Sequence, residues 1–139
     1  LYLNGSPIKF YKMKKYVALF FVLSSMFLSC QNKDASFTSV APATFAAEIE
    51  KAPDAQIVDV RTPEEFAQEH IKNAKNIDWN GSDFEAEMEK LDKSKPILIY
   101  CERGGRSQKA AVKLQELGFE TIYELNGGFM QWSIDGFQK

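Results

Sequence analysis

Cys101-Glu102-Arg103-Gly104-Gly105-Arg106-Ser107 is the stretch of this chain best equipped for covalent chemistry. A free cysteine thiol titrates at about 8.5, so at neutral pH it is mostly protonated, whereas the thiolate is the nucleophile. Backbone N–H donors, a helix N-terminus and a nearby guanidinium each favour the anion, and the stretch offers all three. Gly104 and Gly105 let a loop fold its amides inward where a side chain would clash. Arg103 and Arg106 place positive charge within five residues of Cys101. Ser107 stands where it can cap a following helix. The pattern predicts a reactive Cys101 thiolate held in a strand–loop–helix turn.

The surrounding elements are those such a turn needs. Ile97-Leu98-Ile99-Tyr100, behind Pro96, reads as a short buried strand. After the loop, Ala110, Ala111, Leu114 and Leu117 share one helical face, and Gly118 is a natural C-terminal cap. Earlier in the chain, Phe37 to Val40 reads as a short strand and Pro42 to Lys51 as a helix, closed by Pro53. Ile57 to Val60 is a buried strand whose C-terminal end carries Asp59 and Arg61. Thr62-Pro63-Glu64-Glu65 is a helix start, with Thr62 as N-cap, proline at the first position and glutamate at the third. That helix runs to about Glu69. Ile77 is the one strand-like anchor of the next segment. Ser82-Asp83-Phe84-Glu85 repeats the capping-box spacing ahead of a Phe84, Met88, Leu91 stripe. Thr121 to Tyr123 reads as a last strand, and Gly127-Gly128 turns the chain into a helical turn presenting Phe129 and Trp132 to the core.

Short apolar strands alternating with amphipathic helices predict an α/β fold. Its sheet is parallel, joined by right-handed crossovers, with helices on both faces. Such sheets bind ligands beyond the carboxyl ends of their strands. Asp59, Arg61 and Cys101 all fall at such ends.

Length and charge narrow the partners. The 139 residues hold one domain's core. The net charge of −2 conceals an asymmetry, because all 19 acidic residues and 13 of the 17 basic ones follow Cys30, a balance of −6 there. An acidic surface argues against nucleic acid. The single histidine, His70, excludes a multi-histidine metal centre and reads as a packing or hydrogen-bonding residue; no metal or cofactor is expected. Trp79 and Trp132 read as core.

The front of the chain reads as a targeting segment. Lys14 and Lys15 follow Met13, and the apolar run Tyr16 to Leu28 is 13 residues long, short of the ~20 that a membrane span needs. Phe27-Leu28-Ser29-Cys30 then resembles the lipobox of bacterial lipoproteins. The expected organisation is an upstream remnant plus signal peptide over 1–29, starting at Met13. A lipidated Cys30 with a polar tether over 30–36 and one domain over 37–139 complete it. The protein would then sit in a bacterial cell envelope, in the periplasm or at the outer membrane, anchored only by its lipid. The alternative is a soluble periplasmic or secreted protein. With Cys30 lipidated, Cys101 is the one free thiol and has no resolving partner.

From about Phe37 to Trp132 the chain resembles a single-domain rhodanese of the sulfurtransferase family. Asp59-Val60-Arg61-Thr62-Pro63-Glu64-Glu65-Phe66 is similar to that family's opening signature. Glu69-His70-Ile71-Lys72-Asn73-Ala74-Lys75-Asn76-Ile77 is similar to its second, usually Gly-His-Ile-Pro-Gly-Ala, with departures at the turn positions Glu69 and Lys72-Asn73. Cys101 to Ser107 resembles the active loop, and Leu125-Asn126-Gly127-Gly128-Phe129 with Trp132 is a weaker fourth match. The resemblance implies a rhodanese-like fold and a two-step reaction. Cys101 takes the outer sulfur of thiosulfate or a persulfide donor, releases sulfite, and passes the sulfur to a thiol or cyanide acceptor. It also implies a small anionic sulfur donor held by Arg106, Arg103 and the amides of Glu102, Gly104, Gly105 and Ser107. Asp59 and Arg61 would support the loop as a pair. The acceptor would be a thiol, thioredoxin-like or glutathione-like, and the protein a monomer.

Two rivals use the same cysteine. A cysteine phosphatase or arsenate reductase needs one more residue between cysteine and arginine than the four found here, Glu102 to Gly105. A non-catalytic persulfide carrier or sulfide-sensing module would load sulfur once and stall.

Overall fold

The computed structural model describes residues 37–139. The segment read as signal peptide, lipobox and tether, including Cys30, lies outside the described residues. Five strands alternate with five helices: β1 (Thr38–Val40), α1 (Pro42–Lys51), β2 (Gln56–Asp59), α2 (Pro63–Gln68), β3 (Lys75–Asn76), α3 (Phe84–Glu89), β4 (Ile97–Tyr100), α4 (Gly105–Glu116), β5 (Ile122–Leu125) and α5 (Gly128–Ile134).

All pairings are parallel, in the order β1-β5-β4-β2-β3. The central strand β4 pairs Ile97 with both Gln56 and Ile122. Its four residues are all fully buried, which is why Ile97 to Tyr100 is a continuous apolar run rather than an alternating one. Alternation still decides which face each residue serves. Ile97 and Ile99 join a cluster with Val58, Met88, Ala110 and Leu114. Leu98 and Tyr100 join the opposite one, with Phe45, Leu125, Phe129 and Trp132. Helices therefore cover both faces, as the alternating pattern predicts. Within the second cluster Phe45 and Trp132 meet edge to face, 5.9 Å between ring centres, a geometry worth about 1 kcal/mol beyond the area buried.

Local signals act where expected, with some shifts. α1 begins at Pro42 and ends at Lys51 as read. The capping box of α2 forms in both directions: Glu65 N–H donates to Thr62 Oγ1 at 3.3 Å, and Thr62 N–H to Glu65 Oε2 at 2.9 Å. The corresponding box at α3 does not form, since Asp83 is the N-cap and its side chain caps nothing. α4 starts at Gly105, ahead of Ser107, because Gly104 takes the cap position in a left-handed conformation, φ +105°. β5 runs on to Leu125 rather than stopping at Tyr123, since β1 pairs with it as far as Val40 opposite Leu125. Ile77 lies just past β3, is buried, and donates its N–H to Asp59 O at 2.9 Å.

Candidate active site

β4 delivers Cys101 to the carboxyl edge of the sheet, and the chain turns at once into α4. Cys101 is 2% exposed. Its Sγ receives the Gly104 N–H at 3.1 Å. Gly104 itself is left-handed, φ +105°, a conformation L side chains rarely adopt, and from it the chain turns directly into α4. The first-turn amides of a helix have no intrahelical acceptor. Among the described residues none accepts from the N–H groups of Glu102, Arg103, Gly105, Arg106 or Ser107. A buried sulfur beneath a loop of uncommitted amides, at the positive end of a twelve-residue helix, is an arrangement that stabilises negative charge.

The base of the loop is held by α5. Phe129 N–H donates to Cys101 O at 2.8 Å and Met130 N–H to Glu102 O at 3.1 Å. The approach is close enough that a Cβ on Gly128 would lie 2.5 Å from Cys101 O. The Gly127-Gly128 pair is therefore a contact surface for the loop as well as a turn.

Asp59 and Arg61 meet beside it. Arg61 Nε lies 3.0 Å from both Asp59 carboxylate oxygens and its Nη2 lies 2.8 Å from Oδ2. Nη1 reaches Glu102 Oε2 at 3.0 Å and Nη2 reaches Glu69 O at 2.6 Å. Its guanidinium carbon also sits 4.1 Å from the centre of the Phe129 ring. Burial alone pulls this guanidinium down, but the hydrogen bonds and charge of Asp59 outweigh it and raise it. Arg61, 3% exposed, thus ties the end of β2 to the first residue of the loop. The same burial pushes the Tyr100 phenol well up, while its oxygen accepts Ile71 N–H at 3.0 Å.

The two loop arginines part company. Arg103 is exposed. Arg106 is engaged by Glu65 of α2 through two hydrogen bonds of 2.7 Å, so an anionic donor would meet a guanidinium already paired. Ser107 does not cap α4; it faces inward, its Oγ 3.4 Å from Cys101 Sγ and 2.6 Å from Glu124 Oε1. His70 stacks on Phe66 at 3.8 Å and its Nδ1 lies 2.9 Å from Phe66 O. Trp132 is buried, and Trp79 is partly buried, edge-on to Phe84.

Three contributors escape sequence reasoning. Glu65 reads as a capping residue and is also the partner of Arg106. Gly128 reads as a turn and is also the loop's floor. Glu124 carries a faint signal, an acid inside the apolar run Ile122 to Leu125, and proves fully buried. Beside the loop a cleft of about 520 Å³ is lined by Arg61, Glu65, Glu102, Phe129, Met130 and Lys139, among others. Among the described residues no cluster of three or more His, Cys, Asp or Glu side chains is arranged to ligate a metal.

A five-stranded parallel sheet with a cysteine loop between its central strand and a helix defines a class, and comparison agrees: the family model of the rhodanese-like domain matches residues 41–135. The chain belongs to that family. It is 41% identical over 85 residues to the thiosulfate sulfurtransferase GlpE of Coxiella burnetii, covering 61% of this chain and 78% of the relative. It is 37% identical over 92 residues to the protein of the same name from Pseudomonas putida, covering 66% and 81%. Among solved structures, a rhodanese-related protein from Thermoplasma volcanium superposes with a TM-score of 0.63 at 30% identity, over 73% of this chain and 95% of that one. A rhodanese-like domain protein from Staphylococcus aureus gives 0.61 at 29%, over 69% and 91%.

Proposed function

We propose that this domain is a sulfurtransferase that moves a sulfane sulfur from thiosulfate, or from a persulfide donor, through a Cys101 persulfide to a thiol or cyanide acceptor. The observation that carries the reading is Cys101 Sγ, held 3.1 Å from Gly104 N–H beneath a loop of amides without acceptors. The thiosulfate sulfurtransferase relatives, at 41% and 37% identity, support the same class of reaction.

In the first half-reaction the Cys101 thiolate attacks the outer sulfur of thiosulfate. A new S–S bond forms, the S–S bond of thiosulfate breaks, and sulfite leaves with the electron pair. The loop amides then hold the persulfide sulfur. In the second half-reaction the acceptor's thiolate or cyanide attacks that sulfur, and Cys101 departs as thiolate. The cleft lined by Glu102, Phe129 and Met130 is the approach for the acceptor. Asp59 and Arg61 position Glu102 and take no part in bond making. The short loop, with four residues between Cys101 and Arg106, suits one sulfur atom better than a tetrahedral phosphate.

The test is thiosulfate turnover together with intact mass. Thiosulfate alone should add one sulfur atom to Cys101, and a thiol or cyanide should remove it repeatedly. Cys101→Ser should keep the fold and lose both. Retained turnover in that variant overturns the mechanism; a single loading without turnover makes the domain a carrier, and phosphate-ester hydrolysis without sulfur transfer makes it a phosphatase. The reading of residues 1–36 as an envelope-targeting lipoprotein leader belongs to the same proposal. A diacylglycerol mass on Cys30 tests it.

A further inference from the structure

Glu124 is 0% exposed. Its Oε1 accepts from Ser107 Oγ at 2.6 Å and its Oε2 from Ser39 Oγ at 2.6 Å. A buried carboxylate without a cation is costly, and no described lysine, arginine or histidine hydrogen-bonds to this one. The charged groups around it turn elsewhere. From α4, Arg106 goes to Glu65 and Lys113 to Glu85 and Glu116, while Lys109 is exposed. From β2, Asp59 is taken up by Arg61. β1 offers no titratable side chain, and α1 packs with the cluster on the opposite face of β5. The titratable group it does approach, through one hydroxyl, is Cys101.

That hydroxyl is placed between them. Ser107 Oγ lies 2.6 Å from Glu124 Oε1, 3.1 Å from Gly104 O and 3.4 Å from Cys101 Sγ. A serine has one proton to donate and two lone pairs to accept with. While Glu124 is ionised, the proton belongs on the nearest and only charged acceptor, which leaves a lone pair toward Sγ to accept the thiol's S–H. With Glu124 protonated the bonds reverse: the acid donates to Oγ, and the serine proton turns to the thiolate.

We infer that Glu124 takes the proton of Cys101 through Ser107, so that the two buried groups share one proton and the thiolate forms without added charge in the interior. The step rests on the nucleophilic role given to Cys101. The Cys101 S–H bond breaks as an O–H bond forms on Ser107, whose own proton passes to Glu124; one thiolate and one carboxylic acid result. When Cys101 is released as a thiolate at the end of the second half-reaction, the proton can return along the same path. Ser39, exposed on β1, connects the carboxyl to solvent.

The experiment follows alkylation of Cys101 by iodoacetamide against pH, read on its own peptide by mass spectrometry, in the full chain. Two groups sharing a proton titrate as a pair, so the wild-type rate should rise in two steps. Glu124→Gln should collapse it to one step whose midpoint is lower than that of the wild type's full rise by about one unit or more. In a Ser107→Ala background the same substitution should shift the profile by less than half as much. Superimposable wild-type and E124Q profiles overturn the inference. So does an equal shift in the S107A background, which makes Glu124 a charge acting through space. Should E124Q fail to fold, Ser39→Ala decides at an exposed position: losing one donor to the carboxylate should enlarge the first step, and an unchanged profile overturns the inference. Alkylation needs no sulfur donor. Absent thiosulfate turnover therefore defeats the proposed function alone, and unmoved profiles defeat the shared proton alone.

Discussion

Glu65 and Arg106, 41 residues apart, face each other through two parallel hydrogen bonds of 2.7 Å. One glutamate thus closes the capping box of α2 and grips the last arginine of the cysteine loop. Paired forks of this kind are charge-assisted and geometrically demanding. The clamp sets the direction of Arg106, and it also competes with any anion that needs it.

Substitutions on the two sides of this clamp should therefore act in opposite directions. Arg106→Ala removes a guanidinium available to a donor and should raise the KM for thiosulfate about tenfold, the loss of roughly 1.4 kcal/mol, with a smaller effect on transfer to the acceptor. Glu65→Gln releases Arg106 and should lower that KM. Steady-state kinetics decides: two changes of the same sign would make the pair purely structural.

The pair also has a pH signature. The hydrogen bonds of Arg106 hold the Glu65 carboxyl down at about 2, against an ordinary 4.5, despite partial burial. A depressed folded-state value means that the stabilisation is complete above the ordinary value and is lost as pH falls toward the folded one. The wild type should outlast Glu65→Gln in urea at neutral pH, the gap should narrow from about 4.5 downward, and it should close near 2. Denaturation midpoints at several pH values measure this.

Arg61 is the more deeply committed arginine. It and Asp59 are 3% and 0% exposed, and removing one partner of a buried pair leaves the other charge unpaired. Arg61→Ala should cost about 3 kcal/mol or more, visible in chemical denaturation. It should also free Glu102, which Arg61 holds at 3.0 Å, so turnover of the folded fraction should fall as well. Arg61→Lys should restore only part of the loss, because one ammonium cannot span Asp59, Glu102 and Glu69 O together.

Gly128→Ala probes the floor of the loop. The new Cβ would lie 2.5 Å from Cys101 O, at a position with φ +64°. Strain and overpacking should together cost about 2 kcal/mol or more. The loop must also shift, so sulfur loading of Cys101 should slow even where the protein remains folded. Gly105→Ala, where the added methyl meets nothing within 4 Å, should cost far less stability.

What the sequence by itself determined are the features that local chemistry controls. Proline at the first turn starts α1 at Pro42, and Thr62 with Glu65 closes the box of α2. The run Ile97 to Tyr100 is the strand buried on both faces, and it leads into the cysteine loop. These depend on periodicity, capping and turn conformation over a few residues. A cap can still be misread locally: Ser82 and Glu85 have the box spacing, but the N-cap falls one residue later, at Asp83, whose side chain makes no capping bond.

The strand order β1-β5-β4-β2-β3 and the partners of each charge were decided only by the tertiary structure. Ser39 and Glu124 stand 85 residues apart, and Arg61 and Glu102 stand 41 apart. No local preference encodes such pairings. They follow from which strands lie side by side and which face each residue must take. Cys101 is visible from its loop alone. That Arg106 is held by Glu65 and that Ser107 turns inward to Glu124 follow from the packing of α2 and β5 around that loop, because an isolated charge reads the same whether it faces water or a partner.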